Sequence, residues 1–492
     1  MPYGLKDIEL ANLNGVFAAN EWIERVILYG SRAKGNYKPF SDVDITLEGA
    51  ELTHNDLSRL SLAIDDLLLP YQFDISIFHT LKNEALIDHI RRMGITIYEK
   101  KSEWKEYKLG ELTIDGKGSY GIAAPAVDYD SNKYTYLRIT DINDDGTLNK
   151  SGLKSVDNKN AHKYLLQQND IVFARTGASV GRSYFYDERD GELVYAGFLI
   201  KYSIDPTKVN PKILKFYTHS QEYYDWIQTV DNGATRGNIN AQTYASMPII
   251  LPERQVQDRI ASILSSLDDK IDLLHRENAT LEQMAETLFR QWFVVEAKEE
   301  WGEGKLGDII DVKSGFAFKS SSFVEFGLYR LITIKAVQDG FLTLENADYI
   351  SEIPDNIKDY CFLKEGDILL SLTGNVGRCC IVDRERLLLN QRVALLCAKD
   401  VKNWAFVYTL FRMQSMKTKL EEMAKGTAQS NLSPVELSNM QFEIPPSKLL
   451  DGFSEAATPL LKKTLSNNKQ IQTLIQTRDG LLPRLMNNSI IV

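Results

Sequence analysis

Residues 255–293, QVQDRIASILSSLDDKIDLLHRENATLEQMAETLFRQWF, decide the fold of this chain. Side chains there recur at alternating steps of three and four: Ile260, Leu264, Leu267, Ile271, Leu274, Asn278, Leu281, Ala285, Leu288 and Trp292. Only Asn278 interrupts their apolar character. A seam of that period predicts a helix that packs along its length against a second helix. At 1.5 Å per residue it would run roughly 55–60 Å, longer than the core helix of a small domain needs to be. Pro252 stands before its start and Trp301-Gly302 follows its end, so the rod separates two other pieces of chain.

Those two pieces resemble each other. Lys108-Leu109-Gly110-Glu111-Leu112 returns as Lys305-Leu306-Gly307-Asp308-Ile309, and Tyr136-Leu137-Arg138-Ile139-Thr140 is echoed at 329–334. Asp170-Ile171-Val172 with Arg175-Thr176-Gly177 and Val180-Gly181-Arg182 matches Asp367-Ile368-Leu369 with Leu372-Thr373-Gly374 and Val376-Gly377-Arg378. Gly233–Ile239 parallels Gly426–Leu432, and each copy closes on a proline step at Pro252 or Pro445-Pro446. Ordered similarity of this kind marks an internal duplication.

A second helix follows the second copy, with its own seam of Leu450, Phe453, Ala457, Leu460, Thr464, Asn467, Ile471, Leu474, Arg478, Leu481 and Leu485. Pro459 is expected to kink or restart it. Antiparallel packing of the two helices is favoured, because it gives the duplication an approximate two-fold axis with the globular copies at opposite ends. Asn278 and Asn467 both lie near mid-helix. Either they meet and help set register, or both remain solvated. Within the copies, 134–140, 170–175, 199–204, 367–372 and 392–397 read as strands, and 212–230 and 404–423 as helices.

This order resembles the specificity subunit of type I restriction–modification systems. The motifs that carry it are Lys305–Ile309, Ser314-Gly315-Phe316-Ala317-Phe318, the paired Gly-Asp-Ile and Thr-Gly segments, and 264–293 with its Leu288-Phe289-Arg290-Gln291-Trp292-Phe293 ending. The resemblance implies two target recognition domains, at 103–252 and 303–446, each reading half of a bipartite site in double-stranded DNA. It implies spacer helices at 253–298 and 447–488 that form an antiparallel coiled coil and dock methyltransferase subunits, two of them expected. Those subunits bring S-adenosylmethionine, and restriction–translocation subunits complete the assembly. Arg175, Thr176, Arg182 and Arg236 in the first copy, and Thr373, Arg378, Gln429 and Asn431 in the second, are candidate DNA contacts. They lie in Gly-containing loops, and Arg, Gln and Asn can pair bidentately with bases. The same Thr-Gly patterns also mark tight turns in any β-rich domain.

Residues 1–100 lie outside the duplication. The strand-like run ending Arg25-Val26-Ile27-Leu28-Tyr29 feeds Gly30-Ser31-Arg32, then Ser41-Asp42-Val43-Asp44-Ile45, and later Phe73-Asp74-Ile75. On a strand Asp42 and Asp44 project from one face. Two such carboxylates can hold a Mg²⁺ bound to a nucleoside triphosphate, and Asp74 can supply a third. The pattern resembles the minimal nucleotidyltransferases of the DNA polymerase β-like superfamily. That resemblance implies an α/β domain in which Gly30, Ser31 and Arg32 bind the nucleotide, Asp42 and Asp44 hold metal, and all three aspartates serve transfer of a nucleoside monophosphate to a hydroxyl. His54, His79 and His89 have no partner pattern.

The expected architecture is thus multidomain, an α/β nucleotidyltransferase-like domain followed by two mixed α+β repeats on paired long helices. Apolar content of 43% and charged content of 25% are those of a globular protein. A net charge of −10 argues against a protein that simply coats nucleic acid. No apolar run approaches membrane-spanning length and the N-terminus lacks a signal-peptide pattern, so no membrane partner and a cytoplasmic setting are expected. Cys361, Cys379, Cys380 and Cys397 lack paired zinc spacing and read as reduced thiols. Residues 101–492 carry no methylase, P-loop or nuclease motif, so catalysis in that part would have to come from partners. Two rival readings remain: an antitoxin-like nucleotidyltransferase whose repeat recruits a protein or RNA substrate, and a purely structural helical adaptor.

Overall fold

The computed structural model describes residues 2–38, 41–100, 104–230, 238–297, 301–344, 347–425 and 431–487. The chain divides into two compact units, 1–262 with 482–492, and 263–481.

The N-terminal sheet contains β1 (Arg25–Tyr29), β2 (Val43–Glu48), β3 (Phe73–Ile77) and β4 (Ile95–Glu99) in the order β3-β2-β1-β4. Strands β2 and β3 run parallel, whereas β1 is antiparallel to both its neighbours. Helices α1 (Asp7–Ala18), α2 (Gly30–Ala33), α3 (His54–Asp65) and α4 (Glu84–Met93) accompany it. Val26, Leu28, Val43, Ile45 and Leu47 pack with Leu13, Phe17, Leu60 and Ile64 into one apolar core.

The first repeat supplies β5 (Lys105–Lys108), β6 (Ser119–Tyr120), β7 (Ala126–Asp128), β8 (Thr135–Leu137) and β9 (Lys154–Val156). It continues with β10 (Asp170–Ala174), β11 (Ser183–Phe185), β12 (Leu193–Tyr195), β13 (Leu199–Ser203), α5 (Pro211–Tyr217), α6 (Gln221–Val230), α7 (Ala241–Ala245) and β14 (Pro248–Leu251). The expected helix over 212–230 is therefore two helices. Thr218 and Ser220 break it: the Thr218 hydroxyl donates to the Lys215 carbonyl and accepts from Ser183, and Ser220 Oγ caps Tyr223.

After α8 (Arg254–Arg290) come β15 (Gly302–Lys305), β16 (Ile310–Ser314), β17 (Phe323–Val324), β18 (Tyr329–Ile332), β19 (Tyr349–Ile350) and β20 (Phe362–Leu363). Then follow β21 (Ile368–Ser371), β22 (Cys379–Ile381), β23 (Leu387–Leu389), β24 (Val393–Ala398), α9 (Trp404–Arg412), α10 (Gln414–Lys425), α11 (Pro434–Asn439), β25 (Gln441–Ile444) and α12 (Ser447–Met486). The helix expected over 404–423 is likewise two, parted at Met413.

Strand order shows the duplication directly. One sheet is β11-β10-β13-β6 in the first repeat and β22-β21-β24-β16 in the second; the other is β12-β8-β9-β7 and β23-β18-β19-β17, extended by β20. Even the exceptional parallel pairing recurs, β8 with β12 and β18 with β23. A two-stranded ladder joins first strand to last in each copy, β5 with β14 and β15 with β25.

Within the second unit α8 and α12 lie antiparallel. Contacts progress from Asp268–Arg478 through Asn278–Asn467 to Trp292–Phe453. Every seam position of α8 is buried or half-buried. Pro459 does not restart α12, which runs unbroken from Ser447 to Met486. That proline is exposed, so the carbonyl it leaves unbonded faces solvent. On α12 the buried stripe shifts to Leu461, Leu465 and Leu482, while Leu460 and Leu481 are only half-buried. Asn467 Nδ2 donates to Asn278 Oδ1 and to Glu277 Oε2, both at 2.9 Å, and Asn278 Nδ2 donates to Asn468 Oδ1 at 2.7 Å. Asn467 is fully buried, so the alternative of two solvated asparagines is excluded.

Candidate functional sites

In the N-terminal unit, parallel pairing sets Asp44 of β2 directly against Asp74 of β3. Adjacent strands lie roughly 4.8 Å apart, so the two carboxylates are close neighbours. Asp42 precedes β2 by one residue and shares the face of Asp44. Asp42 and Asp74 are exposed and Asp44 is half-buried. Burial, then the charges of Asp74 and Asp42, raise the Asp44 carboxyl above the ordinary aspartate range, against a weaker opposing pull from Arg32. Among the described residues no three His, Cys, Asp or Glu side chains close around a common point. Asp74 and Asp42 lie close enough for their charges to bear on Asp44, and carboxylate oxygens of this kind suit a hard cation that completes its shell with phosphate oxygens and water.

Gly30 opens the turn after β1 at φ +71°, and a Cβ there would lie 2.1 Å from Asp44 Oδ2. The glycine is needed both for its backbone conformation and for the space the carboxylate occupies. Ser31 follows it, half-buried.

Arg32 corrects an expectation. It is 1% exposed; its Nε donates to the Ser41 and Asp42 carbonyls, Nη2 to Ser41 again at 2.8 Å, and Nη1 to the Tyr3 carbonyl at 3.0 Å. Its guanidinium also stacks 4.7 Å from the Tyr71 ring. With its donors engaged on backbone, Arg32 fastens the segment that carries Asp42 rather than facing a nucleotide.

In the repeats, the shared motifs prove largely structural. Lys108 N–H donates to Glu111, and Lys305 N–H to Asp308, which explains the repeated Lys-Leu-Gly-acid pattern as a capped turn. Asp170 and Asp367 likewise accept the backbone N–H three residues earlier. Thr176 bridges to Asn238 as Thr373 bridges to Asn431, and the Thr373 hydroxyl donates to Asn431 Oδ1 at 2.6 Å. Arg182 pairs with Asp144 at 2.6 Å and donates to the Ile142 carbonyl, while Arg378 donates to Gln338. Thr176, Thr373, Asn431, Arg182 and Arg378 thus hold the loops in shape. Arg236 and Gln429 lie outside the described residues. Arg175 differs from the rest: its guanidinium lies 5.0 Å from the Tyr120 ring, and its buried Nε has no hydrogen-bond partner among the described residues.

The family description "Type I restriction modification DNA specificity domain" matches residues 101–283 and 298–473, one match to each repeat and its helix. The chain belongs to the type I restriction–modification specificity family. It is 27% identical over 285 residues to the MjaIX specificity subunit of Methanocaldococcus jannaschii, a match covering 53% of this chain and 65% of that one. Identity to the HindI specificity subunit of Haemophilus influenzae is 22%, covering 79% of this chain and all of the other. Among solved structures, the S subunit from M. genitalium matches at 17% identity and TM-score 0.47, covering 79% of this chain and 97% of that one. Residues 11–103 match "Polymerase beta, Nucleotidyltransferase". A toxin–antitoxin structure with AMP-PNP resembles 20% of this chain, and 76% of its own, at 17% identity and TM-score 0.17. This specificity subunit therefore carries two recognition domains behind a nucleotidyltransferase domain. Among the described residues no helix is long and apolar enough to cross a membrane.

For the Leu288–Phe293 segment the structure gives a packing reason. Phe289 and Phe293 meet Phe453 of α12 at ring-centroid distances of 5.7 and 5.2 Å, and Phe406 of α9 at 5.4 and 4.9 Å. Sequence inspection missed Glu282, which accepts from Tyr408 at 2.9 Å and Arg412 at 3.0 Å and ties α8 to the second repeat. Its spacing on the helix offers no signal, because its partners lie more than a hundred residues away. The four cysteines are free, Cys361, Cys379 and Cys380 being buried.

Proposed function

We propose that this chain reads a bipartite sequence in double-stranded DNA through its two repeats and docks methyltransferase subunits, two in number, on its paired helices. Restriction–translocation subunits join the same assembly, and S-adenosylmethionine enters only through the methyltransferase partner. The recurrence of one strand order in both repeats carries this reading. Two alike modules with different surface side chains suit a site of two unlike halves, with a half-site spacing set by the paired helices. Affinity then comes mostly from phosphate contacts and discrimination from base edges. Co-expression with a methyltransferase subunit, followed by purification and mapping of methylated bases, tests it. Failure of the two proteins to co-purify would defeat the assignment.

A second activity is favoured by the Asp44–Asp74 pairing beneath Gly30. In this reading Asp42 and Asp44 hold Mg²⁺, Gly30 and Ser31 bound the phosphate side of the site, and Arg32 keeps the aspartate segment in place. The metal, when bound, supplies charge neutralisation for the triphosphate. Asp74 takes the proton from an acceptor hydroxyl, whose oxygen bonds to the α-phosphorus as the bond to pyrophosphate breaks. Incubation with labelled ATP, CTP, GTP or UTP and Mg²⁺, with and without Asp44→Ala, tests it. Absence of label transfer with every nucleotide and every co-purified partner counts against it.

A further inference from the structure

Both repeats build one hydrogen-bond frame around a single position. Arg175 N–H donates to the Phe198 carbonyl at 3.1 Å, and the Arg175 carbonyl accepts from Ile239 at 2.9 Å. Leu372 does the same with Arg392 at 3.1 Å and Leu432 at 2.8 Å. One strand over, Tyr120 stands opposite Ile200, and Ser314 opposite Ala394. Positions 175 and 372, 198 and 392, and 120 and 314 are therefore equivalent in the duplicated scaffold.

Their side chains are not. The first repeat has Arg175 stacked on Tyr120, beside a Phe198 that is 59% exposed. The second has Leu372 buried in the core, Ser314 half-buried and Arg392 exposed. The guanidinium has changed sides across the same backbone hydrogen bond. Packing does not call for this, since leucine fills the position in the second repeat. Keeping Arg175 half-buried costs desolvation, which no partner of its Nε among the described residues offsets.

We propose that this position pair is where the two repeats diverge in base recognition. Arg175 of the first repeat and Arg392 of the second each take the O6 and N7 edge of a guanine in the major groove, and Phe198 adds contact with a thymine methyl. The exposed Tyr120 ring steadies Arg175 by cation–π stacking. This rests on the DNA-specificity reading above and assigns the residues that make the two half-sites unlike.

The test uses the chain co-expressed with its methyltransferase subunits in a host lacking other DNA methylation, with modified motifs read by single-molecule sequencing of host DNA. Arg175→Lys keeps the charge and loses the bidentate fork. It should relax one guanine position in one half-site by about tenfold to a hundredfold, leaving the other half and the spacer unchanged. Arg175→Leu with Phe198→Arg should alter the same half, and Arg392→Phe only the other. Unchanged discrimination in Arg175→Lys and Arg392→Phe overturns the proposal. So does methylation falling equally at all sequences, the signature of phosphate contacts. If the double variant no longer co-purifies with methyltransferase, the two single variants decide. A wild-type complex that methylates no bipartite motif overturns the specificity reading itself, a result distinct from either.

Discussion

Asp44 shows what a motif conveys and what it hides. The Asp-x-Asp spacing and the later aspartate were legible, because strand alternation places them on one face. The approach of Asp44 to Gly30 and the burial of Arg32 were not: spacing alone does not say where a side chain goes, and an arginine between small and charged residues looks solvated. The raised Asp44 carboxyl has a consequence for stability. Folding disfavours its ionised form, so the N-terminal domain loses stability as pH rises from the ordinary aspartate range through the raised value. Asp44→Asn should flatten that decline, visible in thermal melts taken from about pH 3, below the ordinary aspartate value of roughly 3.9, up to about pH 7. Mg²⁺ should raise the melting temperature of the wild type near neutral pH and not that of Asp44→Asn. In the transfer assay the same variant should lose on the order of a hundredfold or more in rate, as removal of a well-placed electrostatic group does. Gly30→Ala combines a strained φ with a collision at the Asp44 carboxylate, and should cost about 1 kcal/mol or more of domain stability, read from denaturant unfolding.

At the scale of elements, the seam of residues 255–293 was legible almost position by position, since period and polarity are enough to find a buried helix face. The α12 stripe was less so: its buried leucines sit one residue from several of those expected, and an outward-facing proline does not interrupt it. The buried asparagines invite a double-mutant cycle. Asn278→Leu alone leaves Asn467 with part of its bonding capacity unmet in an apolar interface, costing about 1–3 kcal/mol. Asn278→Leu with Asn467→Leu should recover most of that loss, and chemical denaturation of the four proteins measures the coupling. Ile271 packs with Leu274 and Ile471, so Ile271→Asp places an unpaired charge among them, with an expected loss of about 3 kcal/mol or more. Co-purification with the methyltransferase should fail in that variant.

For the whole molecule, the nucleotidyltransferase domain and the repeats have separate apolar cores. Asp42→Ala and Asp44→Ala should therefore leave the methylated DNA motif unchanged, which sequencing of host DNA checks. The duplication was visible in scattered motifs because turn caps such as Lys305–Asp308 demand fixed residues. The strand order behind it was not, since the pairing partners lie far apart in sequence. The ladders β5–β14 and β15–β25 carry one more consequence. Where a module's opening and closing strands are hydrogen-bonded neighbours, the chain enters and leaves at a single doorway, and the flanking helices never feel the length of what lies between. Each module is then a portable cassette: an insertion, a deletion or a wholesale graft between those strands changes the cargo while the joints stay where they are.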